Sequence, residues 1–172
     1  PDGKLVVAGG PGVLRYTAAG ALDASFDGDG VIDLGAADPA RSRTPRAVLV
    51  QGDKVLAALP TSVVRYNADG SSDPTFSSPT LLPGDAIGEE DREGTSFATH
   101  MAFAPGGDVV VLGQYNSYDD NSERFALWRL NPDGSLDPAL GAWLPSYAHA
   151  AGSVVVRPRF VYEFQETGLA VQ

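Results

Sequence analysis

The sequence has no cysteine. That excludes disulfides, thiolate metal sites and cysteine nucleophiles together, and it leaves the redox compartment open. Only two histidines are present, His100 and His149, with no carboxylate at a fixed spacing that makes a zinc site. Basic residues are scarce: 12 Lys and Arg stand against 22 Asp and Glu, a formal net charge of −10 with a pI near 4.4. An acidic surface repels phosphate backbones and anionic headgroups, so no nucleic-acid partner is expected. No apolar run approaches the ~20 residues of a membrane helix, and no membrane insertion is expected. No signal-peptide pattern is present, and the chain opens at PDGK, inside a repeat. Convincing helices are missing too, because Pro or Gly breaks each candidate window within about two turns.

The motifs of common catalysts are also absent. No nucleophile elbow accompanies the many Ser and Asp residues. The stretch GGPG (Gly9 to Gly12) is not followed by Lys-Ser/Thr or a helix, so it is no phosphate loop. Carboxylate pairs suited to glycoside hydrolysis remain open, because 22 acids form coincidental pairs easily.

What the chain does have is repetition. RYTAAGALDASF (Arg15 to Phe26), RYNADGSSDPTF (Arg65 to Phe76) and RLNPDGSLDPAL (Arg129 to Leu140) share Arg, Gly and Asp at the same offsets. These are Arg15/Arg65/Arg129, Gly20/Gly70/Gly134 and Asp23/Asp73/Asp137. The repeat extends upstream through DGKLVVAG, GDKVLAAL and GGDVVVLG. Lys4 lies 11 residues before Arg15 and Lys54 lies 11 before Arg65, but Asp108 lies 21 before Arg129. The third copy therefore carries ten extra residues around QYNSYDDNSER. A fourth copy begins at GSVVVRP (Gly152 to Pro158).

Each unit reads as short apolar or alternating strands divided by Gly/Asp/Asn turns. Gly supplies positive φ, and Asp and Asn bond their own backbone. Four short strands in about 45–50 residues is the pattern of a propeller blade. The expectation is an all-β, β-propeller-like fold of three four-stranded blades plus a partial fourth. The units fall at approximately 1–37, 47–84, 100–145 and 152–172 within a single repeat domain.

PDGKLVVAG, then RYNADGSSDPTF, then SFDGDGVI resembles the bacterial delta-60 repeat, an uncharacterised β-propeller repeat family. The resemblance covers three units and the start of a fourth. It implies a β-propeller within larger bacterial proteins that are often secreted or attached to the cell surface. It implies no catalytic residues. The first copy departs from the pattern at Thr17 and Ala19, and the third ends in Leu140 rather than Phe. A closed propeller typically needs at least four blades, so closure is expected through self-association or a missing part of the chain.

Three constellations are candidates for binding. Asp27, Asp29 and Asp33 in FDGDGVID space carboxylates around a glycine turn, as a calcium site does. The same pattern serves a plain backbone turn. Tyr118, Asp119 and Asp120 lie in the ten-residue insertion and offer a cation or partner surface at a hairpin tip. Trp143 and Tyr147, in GAWLPSY, are candidates for stacking on a sugar ring or a protein partner, whereas Trp128 sits in a strand and reads as core. The recurring Arg15, Arg65 and Arg129 read as structural, each ion-paired within its unit or bonded to backbone. The function expected is a non-catalytic binding or structural module. A glycan-acting hydrolase or lyase on the same scaffold is one alternative. A self-assembling protein joined through open blade edges is another.

Overall fold

The computed structural model of the chain describes residues 2–10, 12–34, 44–77, 79–81, 94–117, 123–137, 162–165 and 168–171. These residues contain strands and turns and no helix. None therefore forms a helix long and apolar enough to cross a membrane.

The first unit is a sheet of order β1-β2-β3, from β1 (Leu5–Gly9), β2 (Gly12–Tyr16) and β3 (Val31–Asp33). The second is β4 (Ala47–Gln51), β5 (Lys54–Leu59) and β6 (Ser62–Tyr66). The third is β7 (Gly94–Phe103), β8 (Val109–Ser117) and β9 (Glu123–Leu130). All pairs are antiparallel. A hairpin of β10 (Tyr162–Gln165) and β11 (Gly168–Val171) follows in the fourth copy.

The central hairpin is the same in each unit: β1-β2, β5-β6 and β8-β9. What flanks it differs. β4 and β7 lie on the outer edges of β5 and β8, whereas β3 lies on the far edge of β2. In the second unit that far edge holds a single bridge, Ser62 to Thr80.

The described residues thus give three strands per sheet, where the sequence pattern predicts four. The segment after each Asp-Gly turn, expected as the fourth strand, makes only one bridge: Tyr16 to Leu22, Tyr66 to Ser72 and Leu130 to Leu136. In the first two units the reason is local. Asp23 accepts Phe26 N–H at its carbonyl and Ser25 N–H at its carboxylate, and Asp73 does the same with Phe76 and Thr75. These bonds turn the backbone out of the ladder as soon as it has entered.

Alternation along each strand gives every sheet two apolar faces. We call the face turned to the preceding unit the front and the other the back. Val13, Phe26 and Ile32 from the back of the first unit pack with Val55, Ala57 and Tyr66 from the front of the second. Leu56, Ala58, Val63, Phe76 and Leu81 of the second unit pack with Val109, Val111, Trp128 and Leu130 of the third. Trp128 is core, as its strand position predicts. The sheets stack in chain order, and the core lies between units rather than within them. This is how repeats that cannot bury their own faces become stable.

Candidate functional site

The recurring Arg-Asp pair is the most elaborate polar arrangement among the described residues. It begins with a tight turn. In the second unit Asn67 N–H donates to Ser71 O at 2.8 Å and Gly70 N–H to Asn67 O at 3.0 Å. Thr17, Gly20 and Ala21 make the same bonds in the first unit, and Asn131, Gly134 and Ser135 in the third. Asp69 and Asp133 each accept the N–H and hydroxyl of the serine two residues on. The first unit keeps the turn without these side chains, so the backbone and the glycine suffice. The turn then returns the chain to the arginine: Asp23 N–H donates to Arg15 O, Asp73 N–H to Arg65 O and Asp137 N–H to Arg129 O.

In the first unit Arg15 Nε donates to Asp23 Oδ2 at 2.7 Å, and Lys4 Nζ lies 2.9 Å from the same oxygen. Ser25 donates its hydroxyl and its N–H to Asp23 Oδ1. The second unit copies this with Arg65, Lys54 and Thr75 around Asp73. Both carboxyls are held far below the usual carboxylate range. The Ser25 hydroxyl bond is the largest cause at Asp23, and the Lys54 bond is the largest at Asp73.

The same guanidiniums reach out of their units. Arg15 Nη1 donates to Ala68 O in the second unit at 2.7 Å, and Arg65 Nη1 to Pro132 O in the third at 2.9 Å. Beside each, a backbone bond also crosses the joint: Asp27 N–H to Asp69 O and Ser77 N–H to Asp133 O, both 2.7 Å. Arg15 lies over the Phe26 ring and Arg65 over Phe76. Each arginine thus binds its own aspartate, its own aromatic ring and the next unit's turn. The intra-unit pair is the sequence expectation; the bond into the next unit is not. Its acceptors are main-chain carbonyls, which leave no residue signature.

The third unit departs. Asp108 occupies the position of Lys4 and Lys54, and Arg129 turns both Nε and Nη2 onto it. Asp137 stays 3.5 Å from Arg129 Nε. The Lys-to-Asp exchange is visible in the sequence and signals this altered pairing.

An open cleft of about 1130 Å³ lies at the first joint, lined by Lys4, Val6, Arg15, Val50, Asp53 and Asp69 among others. Arg15 sits in it already engaged on three sides. Val6, Val55, Ala68 and the exposed Val50 make its apolar part.

Of the residues singled out in the sequence, Asp27, Asp29 and Asp33 are described. Asp29 Oδ1 accepts Val31 N–H at 2.8 Å. Asp27 has φ of 53°, and its N–H is spent on Asp69 O. Asp33 closes β3 opposite Gly12. Among the described residues no three or more His, Asp or Glu side chains gather closely enough to hold a metal ion. Tyr118, Asp119, Asp120, Trp143 and Tyr147 lie outside the described residues.

The architecture defines an all-β repeat protein whose antiparallel sheets are joined by a recurring arginine bond. A family described as "Domain of unknown function (DUF5122) beta-propeller" matches residues 1–26, 61–76 and 105–139, together less than half of the chain. The matched stretches hold the β1-β2 hairpin, the β6 motif and the β8-β9 motif, which agrees with the expected β-propeller repeat. No curated protein and no solved structure matches the chain.

Proposed function

We propose that this chain is a non-catalytic binding or structural module built from delta-60-type propeller units. In this reading it belongs to a larger bacterial protein that is secreted or displayed at the cell surface. One observation carries the reading: the recurring Arg and Asp side chains are engaged in ion pairs within their units, and in the first two units the arginine also bonds the next unit's turn. Asp23 and Asp73, the strongest candidates for acid-base work, are each gripped by a Lys, an Arg and a hydroxyl. A carboxyl held ionised so far below neutral pH is a poor proton donor. The secreted or surface setting rests on the resemblance of the repeat alone. Binding falls to the cleft at the first joint and to the loops between units.

The test is turnover by the purified chain against a panel of glycosides and esters. The expected result is none above background. Enzyme-like rates that disappear on substitution of a single carboxylate or serine overturn the reading.

A further inference from the structure

The chain has five Asp-Gly steps, at Asp2, Asp27, Asp29, Asp69 and Asp133, and all five are among the described residues. In such a step the glycine nitrogen reaches the aspartate side chain with unusual ease, because glycine puts no side chain in the way. The same chemical group can thus be compared in five settings.

Four of the five carboxyls are pinned in one manner. Each accepts the N–H of the residue two positions on: Lys4 for Asp2, Val31 for Asp29, Ser71 for Asp69 and Ser135 for Asp133. The hydroxyls of Ser71 and Ser135 add a second bond. These bonds fix the side-chain torsion and hold the carboxyl carbon in place. At three of the steps the glycine N–H is committed as well. Gly30 donates to Phe26 O, Gly70 to Asn67 O and Gly134 to Asn131 O. The Ser71 and Ser135 hydroxyl bonds also hold the Asp69 and Asp133 carboxyls below the ordinary carboxylate range, which keeps their acid form scarce.

Asp27 has none of this. Among the described residues nothing donates to its exposed carboxyl, and Gly28 N–H has no acceptor. Gly28 is exposed, with nothing within 4 Å of where a Cβ would stand. Asp27 is also the one described non-glycine residue with positive φ, at 53°. An L-residue holds that backbone only under constraint. Here the constraint includes the seam itself, because Asp27 N–H donates to Asp69 O of the second unit at 2.7 Å.

We propose that Asp27 is a site of spontaneous isomerisation, and that its product marks aged molecules at the joint between the first two units. The Gly28 nitrogen attacks Cγ of the Asp27 carboxylic acid. A C–N bond forms, and the hydroxyl leaves with the proton of the nitrogen as water, closing a five-membered succinimide. Water then adds at the main-chain carbonyl of Asp27, and the bond from that carbon to the Gly28 nitrogen breaks. The chain now runs through Cβ and Cγ, and the α-carboxyl is free. One water is lost and one is gained, and nothing is oxidised or reduced. The main chain grows by one carbon inside the turn that Gly30 N–H closes on Phe26 O. A new carboxylate stands on the Cα next to the N–H that Asp69 O accepts. Turn and seam are both weakened. The inference goes beyond the reading as a non-catalytic module and does not need it: hydrolytic activity would sink that reading and leave this one standing.

The test is ageing of the folded chain for weeks in neutral buffer, then digestion and peptide mass spectrometry with fragmentation that separates isoaspartyl from aspartyl. Enzymatic methylation of the freed α-carboxyl counts the product. A second sample ages in urea, where every step loses its folded setting. In the folded sample isoaspartate at Asp27 should exceed that at Asp29, Asp69 and Asp133 by about tenfold or more, because only there is the approach of nitrogen to carbon unblocked. In urea the steps should differ by only a few-fold. The aged parent should melt lower than the fresh one. Asp27→Glu cannot close a five-membered ring, so its melting temperature should not drift, whatever value it starts from. A folded chain in which Asp27 is as protected as Asp29, Asp69 and Asp133 overturns the proposal. So does isoaspartate at Asp27 that leaves the melting temperature unchanged, or a drift that Asp27→Glu shares in full.

Discussion

The guanidinium carbon of Arg65 lies 4.7 Å from the centre of the Phe76 ring, while the same group holds Asp73 and the carbonyl of Pro132. Arg15 repeats the arrangement over Phe26 at 4.4 Å. A planar cation with several donors serves all three partners at once; an ammonium cannot. Arg65→Lys should therefore lower stability even though the charge is kept. Arg129→Lys should lower it less, because the Arg129 side chain is 35% exposed against 9% for Arg65. Urea midpoints of the two variants check the ranking, and equal losses would contradict it.

Phe76 itself is buried, between the Arg65 guanidinium and Gly134 of the third unit. Phe76→Ala opens a cavity at the second joint and should cost about 3–5 kcal/mol. Chemical denaturation measures this directly. A loss under about 1 kcal/mol would mean that the joint does not depend on the ring.

Gly20 and Gly70 occupy the same turn position with φ of +84° and +90°. Alanine at either suffers the left-handed backbone, about 1–2 kcal/mol. At Gly70 the added methyl also runs into the Asp27 backbone. Gly70→Ala should be clearly the more destabilising of the two. Thermal melts of the two variants separate the backbone cost, common to both, from the cost of the joint.

Asp23 and Asp73 make stability depend on pH. Their folded carboxyls are depressed below the ordinary value of 3.8. The stability they contribute is therefore complete at neutral pH and is lost as pH falls below about 4, toward the folded values. The melting temperature should be level from pH 7 to about pH 5 and fall steeply below about pH 4. Asp73→Asn should flatten that fall while lowering the neutral plateau. A variant with an unchanged acid limb would remove Asp73 from the account.

The acidic turn has its own check. Asn at position 29 can still accept Val31 N–H, so a backbone turn tolerates Asp29→Asn. The expected melt is close to that of the parent, and calcium shifts neither. A calcium-dependent rise in the parent, absent from the variant, would make the turn a metal site.

Much of this molecule was legible in its sequence. The spacing of Arg15, Gly20 and Asp23 and its two repetitions announced the turn, the return of the chain and the ion pair. The apolar runs LVVAG and KVLAAL announced strands. The segment after each turn was expected to be a strand because Asp23 and Asp73 look like the end of a turn opening one. They instead bend the chain away by bonding the backbone just ahead. The tie between units was invisible for another reason. Its acceptors, Ala68 O and Pro132 O, belong to residues whose side chains have no part in it. Lys4 and Lys54 were aligned as markers of the repeat, but their grip on the aspartates follows only from the hairpin that sets them beside Asp23 and Asp73.

The carbonyl that receives each arginine belongs to Ala68 at one joint and Pro132 at the next. A socket made of main chain is indifferent to the residue that supplies it, so at both described joints one half survives almost any substitution. The other half travels as a short cassette of Arg, Asp and an aromatic. A tandem duplication or deletion of one whole unit would thus leave working half-joints at both cut ends. Such a protein can lengthen or shorten in whole steps over evolutionary time without having to reinvent the seam.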